Sequence, residues 1–170
     1  MEIKVMAKTY FEKIKGTPEE KSVMSKWRVV SISNSSDETA PFSKEFLKLP
    51  TLLLLHFGDV SNPDNPDETG QQAMTAEDAR RIVSFVLSPP HKPILIHCTD
   101  GSRRSTGIAL VLNDYLNRIL RKNMDDYESN NRLLHDGMPN FTVRRLLIFA
   151  FERRVLGKVD ERMKSFSDRS

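Results

Sequence analysis

At 170 residues, with 38% hydrophobic and 29% charged side chains, the chain has the size and composition of one globular domain with a core of its own, which excludes a disordered or fibrous polypeptide. Its 26 basic and 23 acidic side chains leave a net charge of +3, too small an imbalance to point to a nucleic-acid partner. No apolar run has the length of a signal segment or a bilayer span, and a single cysteine excludes an internal disulfide framework, so a soluble chain in the reducing cytoplasm is expected.

In chain order, residues 3–6 read as a strand and 8–15 as a helix. Thr17 followed by Pro18 marks a helix N-terminus and predicts a helix to Lys26, with a strand over 27–32 behind it. The polar stretch 33–39 is a loop that could rim a site. A continuous apolar run over 51–57 reads as a buried strand, and the Asn-Pro-Asp turns of 61–70 as a surface loop or a lid. Thr75, Glu77 and Asp78 open a capped helix whose apolar positions Ile82, Val83, Phe85 and Val86 end before Pro89-Pro90. Pro93 to Ile96 is too short for a helix and suits a buried strand, with Cys98 at its carboxyl end. From Ser105 to Ile119 apolar residues recur at steps of three and four, as in a helix buried around much of its circumference. Helices are also predicted over 125–134 and 142–156, and residues 158–170 read as a charged tail that frays. Strand, helix, strand and helix between residues 52 and 120 form a crossover unit, hence parallel neighbours. The expected architecture is a single α/β domain over residues 1–157, a central mostly parallel sheet flanked by helices with a helical C-terminal half.

Chemistry concentrates between strand and helix, in His97-Cys-Thr-Asp-Gly-Ser-Arg-Arg-Ser105. A loop that ends at a helix N-terminus faces N–H groups without intrahelical partners and the positive end of the helix dipole, which favour an anion. Cys98 is therefore expected to be a thiolate, the nucleophilic form. Arg104 offers a planar fork matching two phosphate oxygens, as a lysine could not. Gly101 permits a turn toward an oxyanion that a Cβ would obstruct, and Ser105 either caps the helix or donates to the Cys98 sulfur as it leaves an intermediate. The phosphate-binding residues on this reading are Thr99, Asp100, Gly101, Ser102, Arg103 and Arg104. Cleaving a phosphate ester also needs a carboxylic acid for the leaving oxygen, and strand carboxyl ends meet at one sheet edge. Asp59 follows the 51–57 run directly, and Asp64 and Asp67 from the next loop are alternatives.

His-Cys, five residues, then Arg-Ser resembles the signature of the cysteine-dependent protein tyrosine phosphatases, in particular their compact dual-specificity branch and its small bacterial and phage-type members. Leu55-His-Phe-Gly-Asp-Val60 and Pro139-Asn-Phe-Thr-Val143 extend the likeness over residues 27–150. The resemblance implies Cys98 as nucleophile, Arg104 as phosphate ligand, Ser105 as the hydroxyl assisting breakdown of a phosphocysteine, Asp59 as general acid, and His97 as a support of the loop through hydrogen bonds. It implies a phosphorylated protein as substrate, carrying phosphotyrosine or also phosphoserine and phosphothreonine, and no cofactor or metal. Inositol phosphates, the 5′ phosphates of RNA, or phosphoprotein capture without turnover are the other readings. Two positions depart from the pattern. Arg103 stands where a small residue is usual and is read as solvent-facing in preference to a second cation; Asp100, beside an anion, is expected to turn its carboxylate away. His56 is read as a satisfied core histidine, and Arg144, Arg145, Arg153 and Arg154 as a solvated helix face.

Overall fold

The computed structural model of the chain describes residues 1–36, 38–60, 71–134 and 139–167. Among them β1 (Ile3–Ala7), β2 (Arg28–Ser33), β3 (Leu52–His56) and β4 (Ile94–Cys98) form one sheet, parallel throughout, in the order β1-β4-β2-β3. β4 runs between β1 and β2, with Cys98 opposite Ala7 and His97 opposite both Met6 and Ser31. The sheet changes winding direction at this central strand, where an α/β sheet opens a crevice at its carboxyl edge.

Strand alternation sorts the side chains into two layers. Ile94, Ile96 and Cys98 face one core with Val30, Ile32 and Leu55, covered by α3 (Ala76–Leu87), α4 (Arg103–Leu112), α5 (Met124–Leu134) and α6 (Phe141–Ser167). Leu95 faces the other core with Val29 and Leu52, covered by Phe11 and Ile14 of α1 (Lys8–Ile14), Met24 of α2 (Pro18–Lys26), Trp27 and Phe42. The anticipated caps are present. Thr17 accepts from Glu20 N at the start of α2, and Thr75 and Asp78 form a reciprocal capping box on α3.

Three stretches differ from the sequence expectation. α4 begins at Arg103, two residues before Ser105, and gives way after Leu112 to a π-helical stretch, Asn113–Leu120. The wider turn keeps Asn113, Leu116 and Asn117 all on the buried side. Asn113 Oδ1 there accepts from Asn117 and Asn130, and its Nδ2 donates to Tyr127 O at 2.9 Å. α6 continues to Ser167, past the predicted helix end at residue 156, so the backbone of 158–167 is helical. The Lys, Arg, Glu and Met of that stretch are good helix formers, and no proline stops the propagation. His56 is exposed at the end of β3, where its Nδ1 pairs with Ser33 Oγ at 2.6 Å, so it is satisfied but is not a core residue.

Candidate active site

Cys98 ends β4 on its helical face and is fully buried. Its Sγ lies 3.2 Å from Ser105 Oγ, in the first turn of α4, and donates to Asp100 Oδ1 at 3.4 Å. Of the two roles open to Ser105, the structure shows the contact with sulfur. The residue at the helix start is Ser102, which makes no side-chain cap bond; its hydroxyl donates to Asp100 Oδ2 at 2.6 Å and its amide to Oδ1 at 3.2 Å. The Asp100 carboxylate, expected to turn away, thus folds back over its own loop and toward the sulfur, because the local hydrogen bonds of an Asx-type turn hold it there. The Ser102 hydroxyl is the main cause that holds Asp100 below the usual carboxylate range, against a smaller opposing effect of burial.

Gly101 has φ of +73°, in the left-handed region. A Cβ there would come within 2.8 Å of Ala7 N and Met6 C, so the residue is required by its close approach to β1 as well as by its turn. The loop is further tied to this strand end by Lys8 N, which donates to Thr99 O at 3.2 Å. Arg104 is almost wholly buried. Its Nη1 donates to Phe57 O at 2.7 Å and its Nη2 to Thr99 Oγ1 at 2.9 Å, which fixes the guanidinium between the loop and the chain leaving β3.

Asp59 lies two residues beyond Phe57, and both of its carboxylate oxygens are engaged. Oδ2 pairs with Arg103 Nε at 3.0 Å, and Oδ1 accepts from Asn140 Nδ2 at 2.7 Å. Arg103, read as solvent-facing, therefore leans on Asp59 while its side chain stays about half exposed, because the carboxylate beyond the end of β3 supplies an ion-pair partner at the mouth of the loop. Asn140 is completely buried just before α6. It accepts from Val143 N through Oδ1 at 3.1 Å, which caps the helix, and its own amide donates to Arg103 O at 3.1 Å. In the sequence Asn140 stands within Pro139-Asn-Phe-Thr-Val143, a helix-start pattern that is the one signal of its role. Asp64 and Asp67 lie outside the described residues.

His97 points to the opposite face of the sheet from Cys98. Its ring packs at 4.5 Å from Phe11 and 5.7 Å from Phe42, and neither ring nitrogen meets a hydrogen-bond partner among the described residues. The ring thus supports the strand from the opposite layer by packing, as strand alternation dictates for a residue beside Cys98. Burial is the main cause that pushes His97 down to about 4, with the Cys98 backbone opposing it, so the ring is neutral near pH 7. Lys8 and Glu38 also bear on this edge: Lys8 Nζ pairs with Glu38 at 2.5 Å, and Asn34 N donates to Glu38 Oε2 at 2.8 Å. The Lys8 side chain is the largest influence holding Glu38 below its ordinary carboxylate range, with Arg104 contributing from a distance. Glu38 is thus tied through Lys8 to the start of α1, whose first amide bonds Thr99 O. Among the described residues no cluster of three or more His, Cys, Asp or Glu side chains could hold a metal, and no helix is long and apolar enough to cross a membrane.

Fold and site together define an α/β protein of parallel sheet, with a buried cysteine and an arginine joined by one tight loop at the carboxyl edge of the central strand. No protein-family model matches the chain, and no curated protein does. Among solved structures it is similar to Tk-PTP in its active form, at 17% identity and a TM-score of 0.47 over 91% of this chain and 93% of that one. It is also similar to the PTP-2 phosphatase of Cydia pomonella, at 23% identity and a TM-score of 0.46 over 82% of this chain and 76% of that one.

Proposed function

We propose that the chain is a phosphomonoesterase that works through a phosphocysteine, acting on phosphorylated tyrosine, serine or threonine side chains of proteins. The observation that carries this reading is the placement of Cys98 Sγ 3.2 Å from Ser105 Oγ, in the loop whose arginine fork is fixed by Thr99 and Phe57. The Cys98 thiolate attacks phosphorus as the ester P–O bond breaks, and the proton of the Asp59 carboxyl goes to the leaving oxygen. Arg104 and the N–H groups of residues 99–104 stabilise the charge on the non-reacting oxygens, which is where such a reaction gains most. Asp59, now a carboxylate, takes a proton from water as the water oxygen bonds to phosphorus. The S–P bond breaks, and the Ser105 hydroxyl donates to the departing sulfur.

Hydrolysis of para-nitrophenyl phosphate, followed as free nitrophenolate, tests this reading. Cys98→Ser and Arg104→Lys are each expected to remove turnover, and retained turnover in Cys98→Ser rules the mechanism out. A phosphoenzyme trapped by rapid quenching, with the phosphoryl group on the Cys98 sulfur, is the expected direct signature.

A further inference from the structure

Arg103 and Arg104 are neighbours in sequence, yet the structure sends them to different partners. Arg104 holds Thr99 and Phe57 inside the loop, whereas Arg103 Nε is directed to Asp59 Oδ2 at 3.0 Å. The other oxygen of the same carboxylate is taken by Asn140 Nδ2, which also donates to Val60 O at 3.3 Å. Asn140 is itself immobilised from three sides. Its Oδ1 caps α6, its amide bonds Arg103 O, and its carbonyl lies 3.2 Å from where a Cβ on Gly107 of α4 would stand, so the two helices meet closely here.

We infer that Arg103 and Asn140 are positioning residues for Asp59: a two-donor clamp that fixes the acid on the frame of α4 and α6, with Arg103 serving the acid and Arg104 alone serving the phosphate. This rests on the proposed role of Asp59. A carboxyl group following an edge strand has torsional freedom in both χ angles, and one donor on each oxygen removes it while leaving each oxygen a second lone pair for the acid's proton. Both donors are set by the helix that begins at the phosphate loop, directly for Arg103 and through the Asn140 amide for Asn140. Acid and nucleophile are thus built from one frame despite being far apart in sequence.

The test compares a good leaving group, para-nitrophenyl phosphate, with a poor one, phenyl phosphate, and measures competitive inhibition by inorganic phosphate. Asn140→Ser keeps an oxygen to cap α6 and is too short to reach Asp59; Arg103→Ala removes the other donor. In both variants turnover of phenyl phosphate is expected to fall about 10- to 100-fold, the scale of a misplaced catalytic group, with a much smaller fall for the activated ester. Inhibition by phosphate is expected to be unchanged, because the anion site stays intact. Asp59→Asn should show the same leaving-group dependence more strongly, and adding Asn140→Ser to it should cost little more. Equal losses on both esters in the clamp variants, or weakened phosphate inhibition in Arg103→Ala, would overturn the inference while leaving Asp59 as the acid. Absence of leaving-group dependence in Asp59→Asn would bring down the acid assignment first and the clamp with it.

Discussion

The sulfur of Cys98 has two polar neighbours of opposite effect. Ser105 Oγ can donate to a thiolate, while the Asp100 carboxylate, held ionised by Ser102, can only accept from the thiol and repels the thiolate. Asp100→Asn is therefore expected to speed alkylation of Cys98 by iodoacetamide at neutral pH, on the order of three- to tenfold for one partly solvated charge pair. An unchanged rate would show that the carboxylate has no hold on the sulfur. His97 gives a prediction for stability. Its folded pKa of about 4 lies below the ordinary 6.5, so the unfolded chain binds a proton more readily between these values. Its contribution is fully present above about pH 6.5 and is lost as pH falls toward 4, by up to about 3 kcal/mol. Urea unfolding across that range should show the slope in the wild type, and His97→Asn should flatten it. That Cys98, Arg104 and Ser105 meet is legible in sequence because they lie within one short loop. The partners of Arg103 and Asp100 are not, since a side chain's direction depends on what the rest of the fold brings to it.

At the scale of elements, capping and alternation carry most of what can be read before folding. Thr17, Thr75 and the apolar run at residues 94–96 set three boundaries through local chemistry. The shift from α to π geometry at Asn113 has no such local cause, because it is selected by the buried asparagine contacts with α5 and so depends on tertiary packing. The β4 to α4 turn is sensitive to a single methyl group. Gly101→Ala combines a left-handed φ with a backbone contact of 2.8 Å against β1, and a loss of roughly 2 kcal/mol or more is expected from the two together. Thermal unfolding would register that loss, and activity should fall further than stability because the loop cannot keep its course. A Gly101→Ala protein with wild-type Tm and turnover would contradict this account of the turn.

Across the whole molecule, the loop is where separate parts of the chain are joined: Arg104 to the end of β3, Gly101 and Thr99 to β1 and α1, and Arg103 to the start of α6. An anion bound there stabilises the native state by mass action, by about 2.7 kcal/mol at a hundredfold excess over its Kd. Inorganic phosphate should accordingly raise Tm in the wild type and fail to do so in Arg104→Lys; equal shifts in both would place the anion elsewhere. The central position of β4 also bears on the order in which the protein can assemble. β1 and β2 do not touch each other in the sheet; each is joined only to β4 on that side, through pairs such as Ile3 with Ile94 and Arg28 with Ile94. While a ribosome is still making the chain, the two halves of the sheet have no ladder between them until the strand that ends in Cys98 has emerged. The strand that ends in Cys98 thus completes the sheet, and a nascent chain halted before it lacks the means to hold its first strand.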